Sequence, residues 1–237
     1  MQEKILGVLG GVGPLATVYF MDMLVKMTEA ETDQEHIPVL CFNHATIPDR
    51  TAYILDNSNE NPLPVMERDA QLLEKAGASY IVIPCNTAHY FYDQLQEKVK
   101  IPIINIINET VGYIREKNPE VRKIGILATE GTIAARAYQN SCERSGVDYD
   151  TPNEFDQKSL MNIIYNQVKA GRPADFEEFM RIIGVMKHDG CDAVILGCTE
   201  LSIIHRDFKM NRPDVVDSLQ VLARRSIEMC GRRVRGA

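Results

Sequence analysis

Four things are missing from this chain, and each closes off a class of function. No run of apolar residues reaches membrane-spanning length, which takes about 20 residues, so no integral membrane role is expected. Positive charge is not in excess: 26 Lys and Arg stand against 33 Asp and Glu, for a net charge of -7. That argues against a general binder of nucleic acid or of acidic membranes. The six cysteines, Cys41, Cys85, Cys142, Cys191, Cys198 and Cys230, include no CxxC pair, so zinc-ribbon and thioredoxin-like sites lack their spacing. Gly10-Gly-Val-Gly13 is not spaced as GxGxxG, and no acidic residue follows a second strand at the dinucleotide distance. A Rossmann cofactor site is therefore not supported. The start, Met1-Gln-Glu-Lys4, enters a strand at once, so no signal peptide is expected and the expected location is cytoplasmic. The basic end, Gly231-Arg-Arg-Val-Arg-Gly-Ala237, reads as a short solvated tail.

What is present is a repeated event. Ile81-Val-Ile-Pro-Cys-Asn-Thr-Ala-His89 is a short apolar run leading into a cysteine and small polar residues, with a helical segment behind it. Ala193-Val-Ile-Leu-Gly-Cys-Thr-Glu-Leu201 does the same. A buried parallel strand delivers chemistry to its C-terminal end in this way. Around these runs, strands are expected at Lys4 to Leu9, Ile37 to Phe42 and Ile101 to Ile107. Helices are expected from Pro14 to about Thr28, over Leu63 to Ala76, and from His89 to Lys98. Leu15, Val18, Tyr19, Leu24 and Val25 offer a core face for the first of these. The order restarts at Lys123-Ile-Gly-Ile-Leu127. A turn and a helix to about Gly146 follow, then a short strand at Asp148 to Pro152 and helices over Ser159 to Ala170 and Asp175 to Asp189. Val215-Val-Asp217 precedes a last helix to about Cys230. Strands alternating with helices predict a parallel sheet in each half. Self-similarity predicts two like α/β domains related by a pseudo-twofold, with the site in the cleft between them. The domains are expected at 1–113, with the C-terminal helix 217–237 packing back onto it, and at 114–216. The length, 237 residues, suffices for two modest domains with ordinary cores.

Such a pseudo-twofold brings Cys85 and Cys198 to equivalent places on opposite sides of one cleft. A thiolate on one face can take a proton from carbon, and a thiol on the other can return one. The net result inverts a stereocentre. Symmetric chemistry asks for symmetric groups, whereas a nucleophilic hydrolase asks for one cysteine with a dedicated histidine. His89 follows Cys85 closely, and its structural role competes with a supporting one. The carbanion next to a carboxylate needs donors: backbone N–H groups of the Gly11 and Gly13 turn and of Asn86 and Thr87, the Thr199 hydroxyl, and the Thr129 to Thr132 turn. The glycine turn also has a plain reading, a tight strand-to-helix connection. Glu200 is a holder of substrate ammonium or a cap on its helix. Arg50 and Lys169 are candidates for a second, side-chain carboxylate.

Gly10-Gly-Val-Gly-Pro-Leu-Ala-Thr17, Pro84-Cys-Asn-Thr-Ala-His89 and Gly197-Cys-Thr-Glu-Leu201 resemble the aspartate/glutamate racemase family, closest to its aspartate racemase branch, over essentially the whole chain. The resemblance implies a pyridoxal-phosphate-independent two-base racemase with no cofactor and no metal, of two α/β domains and commonly a homodimer. It implies Cys85 and Cys198 as the acid/base pair, and Asn86, Thr87, Thr129, Thr132 and Thr199 as substrate contacts. It also implies Arg50, in Pro48-Asp-Arg50, and Lys169, in Val168-Lys-Ala-Gly171, as the pair that holds the distal carboxylate. Family members acting on glutamate usually carry a histidine after their second Cys-Thr. Glu200 stands there in this chain, which favours aspartate. With both cysteines kept, proton exchange is expected with both enantiomers. Rival expectations are a broad-specificity amino-acid or hydantoin racemase, a maleate isomerase with a nucleophilic cysteine, and a non-catalytic protein that binds an acidic amino acid.

Overall fold

Short runs of Ile, Val and Leu, each followed by a polar turn and a helix, produce two copies of one open sheet. The computed structural model describes residues 3–236. Met1 and Gln2, the start of the expected entry into the first strand, and Ala237, the end of the basic tail, lie outside the described residues. The first half runs β1 (Leu6–Gly10), α1 (Pro14–Met27), β2 (Val39–Asn43), α2 (Arg50–Leu55), α3 (Leu63–Lys75), β3 (Tyr80–Val82), α4 (Tyr92–Gln96), β4 (Ile103–Ile104) and α5 (Ile106–Lys117). The second runs β5 (Lys123–Ala128), α6 (Glu130–Ala134), α7 (Ala137–Arg144), β6 (Asp148–Asp150), α8 (Glu154–Met161), α9 (Phe176–His188), β7 (Ala193–Gly197), α10 (Thr199–Asp207), β8 (Val215–Asp217) and α11 (Ser218–Met229).

Helical crossovers make every strand pair parallel. The sheets are ordered β2-β1-β3-β4 and β6-β5-β7-β8, the same order twice. The central strands β1 and β7 are buried along their whole length, as a sheet covered on both faces requires. One apolar cluster joins the halves: Leu6, Val8 and Ile104 pack with Ile124, Ile126 and Ile195, and Leu222 and Ile227 of α11 complete it. At about 1.5–3 kcal/mol per fully buried aliphatic side chain, this shared core fixes how the two sheets meet. Helix α11 packs on α1 and α5 of the first half.

Several expectations change. On α1 the buried residues are Ala16, Thr17, Phe20, Met23 and Leu24, while Leu15, Val18 and Val25 are 51, 58 and 55% exposed. The helix turns its small and aromatic residues inward, and the three branched residues lie on the other side. Cys41, Cys142, Cys191 and Cys230 are expected as small buried hydrophobes; the last three are buried, but Cys41 is exposed, because β2 is an edge strand whose outer residues reach solvent. The strand expected over Ile101 to Ile107 shrinks to two residues. Asn105 accepts hydrogen bonds from the Ile107 and Asn108 N–H groups and starts α5 there. The helix expected to reach Gly146 breaks at Arg136, whose φ is 52°, giving α6 and α7. The helix expected over Ser159 to Ala170 begins earlier, as α8, and continues as a π-helical run, Asn162–Val168. In the basic tail Val234 is buried and bridges Thr28, and Arg233 pairs with Glu29 at 3.0 Å, so the tail is docked on the first half.

Candidate active site

The two cysteines leave equivalent strands. Cys85 follows β3 through Ile83 and Pro84, and Cys198 follows β7 directly; β3 and β7 hold the third place in their sheets. Both are buried and line one cavity with Val12, Asp49, Arg50, Thr51, Asn86, Thr87, Thr129, Tyr165, Lys169, Thr199 and Glu200. This inner cavity is tight, about 10 Å³. A larger cavity of about 290 Å³ adjoins it through Asp49, Arg50, Lys169 and Glu200, with Gly11, Gly13, Leu15, Ile47, Val168 and Ile203 among its walls. Thr132 is buried behind Thr87 and Thr129 and is not part of either wall.

The chain after Cys85 does not form the α-helix expected from His89 onward. Thr87–Phe91 is a 3-10 turn, and α4 follows it. His89 explains the turn. Its Nε2 accepts from the Ile106 N–H at 3.2 Å, which leaves Nδ1 to donate to the Cys85 carbonyl at 2.8 Å. Burial pushes the imidazole down to about 4, so it is a neutral strut beneath Cys85, the structural role weighed for it in the sequence. Asn86 is a second strut. Its amide donates to Ser218 Oγ at 3.1 Å and its carbonyl accepts from Tyr138 OH, both partners coming from the second half. Its backbone N–H remains for a ligand.

Threonine hydroxyls tie the halves together. Thr87 is 3.0 Å from Thr129 and 2.9 Å from Thr132, Thr129 is 3.0 Å from Thr132, and Thr51 donates to Thr129 at 3.3 Å. Thr129 also caps α6, accepting from the Thr132 N–H. Gly131 permits the approach: a Cβ there would lie 2.8 Å from Thr51 Cα. In the glycine turn the Gly11 N–H already donates to Thr17 Oγ1 at 3.0 Å, so the turn holds itself together with one of its own amides. Gly11, at φ 84°, has no room for a Cβ against the His44 backbone.

Charge at the rim is uneven. Arg50, at the end of the polar run Asn43 to Arg50 that reads as a loop, is the first residue of α2 and only 7% exposed. Its Nη1 donates to the Ile47 and Pro48 carbonyls at 3.2 and 2.9 Å, and its Nε is buried without a hydrogen-bond partner. Lys169 lies 3.7 Å from Asp49 Oδ2, and its Nζ sits 4.0 Å from the centroid of the Tyr165 ring. Burial alone would lower the Lys169 ammonium; Glu200, Tyr165, Cys198 and Asp49 outweigh it and hold the group above the usual lysine value. Burial would raise Asp49, but the Ala52 N–H, Lys169, Arg50 and Tyr165 hold it below the usual carboxylate range. Glu200 does not cap its helix. Cys198 is the N-cap of α10, and its Sγ donates to Glu200 Oε2 at 2.9 Å, with the Thr199 hydroxyl on the same oxygen at 3.3 Å. Burial, and then the Glu200 charge, push the Cys198 thiol well above its ordinary value. Asp49, Thr51 and Tyr165 were not singled out from the sequence. Asp49 stands beside Arg50, and Tyr165 stands four residues before Lys169, which is the signal that adjacency offered. Among the described residues no cluster of three His, Cys, Asp or Glu converges as a metal site would require.

Comparison with known proteins gives a consistent picture. The sequence profile described as Asp/Glu/Hydantoin racemase matches residues 9–225. The broad specificity amino-acid racemase RacX of Bacillus subtilis (strain 168) is 25% identical over 229 residues, covering 94% of this chain and 96% of that protein. The structure of the Picrophilus torridus aspartate racemase superposes with a TM-score of 0.83 at 29% identity, over 98% of this chain and 96% of that one. An aspartate racemase homologue from Pyrococcus horikoshii OT3 superposes with a TM-score of 0.76 at 25% identity, over 97% and 99%.

Proposed function

The chain belongs to the Asp/Glu/hydantoin racemase family, and from that membership we propose that it interconverts L- and D-aspartate without a cofactor. In this scheme Cys85 and Cys198 exchange the Cα proton from opposite faces. One thiolate removes the proton, the carbanion's charge spreads into the α-carboxylate, and the opposite thiol returns a proton to the other face. The backbone N–H groups of Asn86 and Thr87 serve the α-carboxylate, with the Thr199 hydroxyl once it turns from Glu200 to the substrate, in a setting the Thr51, Thr87, Thr129 and Thr132 hydroxyls keep in shape.

The observation that carries the assignment to an acidic substrate, aspartate and with it glutamate, is Arg50. A guanidinium that is nine-tenths buried, with two carbonyls on Nη1 and no carboxylate on Nε, leaves a buried donor unmatched. Such a group costs about 1–3 kcal/mol until an acceptor meets it. A distal carboxylate meets it, and Lys169, across the cleft, adds a second charge. A second reading, broad specificity, draws on the adjoining 290 Å³ cavity, whose Leu15, Ile47, Val168 and Ile203 suit apolar side chains. The similarity to RacX points the same way. Under either reading the domains are 1–113 with 217–237 packed back, and 114–216, and the protein is a cytoplasmic homodimer.

The test is proton NMR of L- and D-aspartate in D₂O with purified protein and no added cofactor, alongside glutamate, alanine and leucine. Loss of the Cα–H signal with appearance of the opposite enantiomer on a chiral column is expected for aspartate. Exchange of leucine at a comparable rate would favour broad specificity, and no exchange with any amino acid would refute both.

A further inference from the structure

The two halves share a strand order, but their cysteines are not in equivalent surroundings. Cys198 Sγ donates to the Glu200 carboxylate at 2.9 Å, in a pair only 6% exposed at each residue. Among the described residues no carboxylate hydrogen-bonds to Cys85 Sγ; what lies beneath Cys85 is the neutral His89, bound to its carbonyl and not to its sulfur. From this difference we infer that Glu200 is a positioning residue that keeps Cys198 as the thiol, so the resting enzyme presents Cys85 as base and Cys198 as acid.

The chemistry follows from what a two-base exchange requires. One sulfur must be ionised and the other protonated, and equal surroundings would give no preference between the two arrangements. Glu200 supplies one. Its oxygen accepts the thiol hydrogen and opposes a second negative charge beside it. The Glu200 carboxylate stands in the first turn of α10, where the unpaired N–H groups favour an anion, beside the Lys169 ammonium. Other groups face the pair. Lys169 and the Glu200 backbone N–H pull Cys198 toward the thiolate; burial and the Glu200 charge, which are larger in sum, pull it the other way. Tyr165, Asp49 and Arg50 complete the charged surroundings from the second and first halves, Cys85 lines the same cavity, and the turn before α1 brings Gly13 close to Glu200 Oε1. In one turnover the proton on Cα passes to Cys85 and the proton on Cys198 passes to the opposite face. The enzyme is left with a Cys85 thiol and a Cys198 thiolate. Solvent exchange or the reverse reaction resets them.

The inference rests on the racemase reading for its consequence, but not for its first test. The ultraviolet absorbance of thiolates near 240 nm is titrated against pH for the wild type and for Cys198→Ala, and the difference isolates Cys198. The same difference is taken in the presence of Glu200→Gln and of Glu200→Asp. Removing the carboxylate charge is expected to move the Cys198 midpoint down by at least one pH unit, a tenfold rise in thiolate fraction below the midpoint. Glu200→Asp keeps the charge and is expected to hold the midpoint near the wild-type value. The racemisation rate should show the same sign: activity falls as rising pH removes the Cys198 proton, so the alkaline limb moves to lower pH in Glu200→Gln. A merely structural role for Glu200 would lower the melting temperature without moving either midpoint. An unmoved or raised Cys198 midpoint in Glu200→Gln overturns the inference. A wild type that exchanges no Cα proton overturns the racemase reading instead, while the titration still decides the Cys198–Glu200 pairing.

Discussion

Arg50 is the place where substrate class and structure meet. Its Nη1 is committed to the Ile47 and Pro48 carbonyls, so Nε and Nη2 are the donors left for a ligand. Two hydrogen bonds to a carboxylate, each charge-assisted and shielded from water, contribute about 3 to 4 kcal/mol together, or roughly 100- to 1000-fold in kcat/KM. Arg50→Ala is therefore expected to lower kcat/KM for aspartate by that factor and for alanine, which has no distal carboxylate, by about threefold or less. The substitution also frees two carbonyls in the loop before α2 and will cost stability. The ratio of the two kcat/KM values removes that effect, because the folded fraction enters both equally. The assay is coupled detection of the opposite enantiomer for both amino acids in the same preparations. Equal losses for aspartate and alanine would refute the assignment of Arg50 to the distal carboxylate.

Cys85→Ala and Cys198→Ala should each abolish racemisation while circular dichroism and melting temperature stay near wild type; turnover in either variant would refute the two-base scheme. Gly131→Ala should destabilise the protein by about 1–3 kcal/mol in urea unfolding, because its Cβ would lie 2.8 Å from Thr51 Cα in the contact between α2 and α6; an unchanged midpoint would mean the contact yields freely. His89 is neutral when folded down to about pH 4, whereas the unfolded chain protonates near pH 6.5. The unfolded state therefore binds more protons between those values, and stability should fall by about 3 kcal/mol as pH drops from 6.5 toward 4. His89→Gln should flatten that slope, and an unchanged slope would assign it to other groups.

The sequence exposes what is written in local patterns. The two runs that end in Cys85-Asn-Thr87 and Cys198-Thr199 sit at strand ends, so β3 and β7 and the paired cysteines are legible without coordinates. The restart at Lys123 announces the second sheet. Residues whose role depends on three-dimensional neighbours are not legible. Thr51 matters because Gly131 lets α6 come close enough to put Thr129 within reach. Tyr165 faces the cleft from a π-helical run, and Lys169 from the residue that ends it, which a 3.6-residue period does not anticipate. The exposed face of α1 is misleading for a related reason: Leu15, Val18 and Val25 make as good an apolar stripe as Ala16, Phe20 and Leu24 until the position of α11 selects one. In the same way, the symmetry of the motifs conceals the asymmetry of their surroundings.

That asymmetry has a consequence that thermodynamics sharpens. L- and D-aspartate have equal free energies, so the equilibrium constant is one and kcat/KM must be the same in both directions, whatever the protein does to its two sulfurs. A resting state biased toward one protonation arrangement cannot show itself in that ratio. It shows in kcat and KM separately. The enantiomer whose Cα–H faces Cys85 binds the abundant form and has the lower KM; the other binds a form that Glu200 makes scarce, and its KM rises by the inverse of that fraction. Since kcat/KM is shared, the enantiomer with the higher KM must have the proportionally higher kcat. Glu200→Gln, by relieving the bias, should bring the two KM values together and the two kcat values with them. Initial rates from each pure enantiomer over a full concentration range measure all four constants. Matched KM values in the wild type, or a gap that Glu200→Gln leaves untouched, would show that the carboxylate beside Cys198 does not bias the resting state.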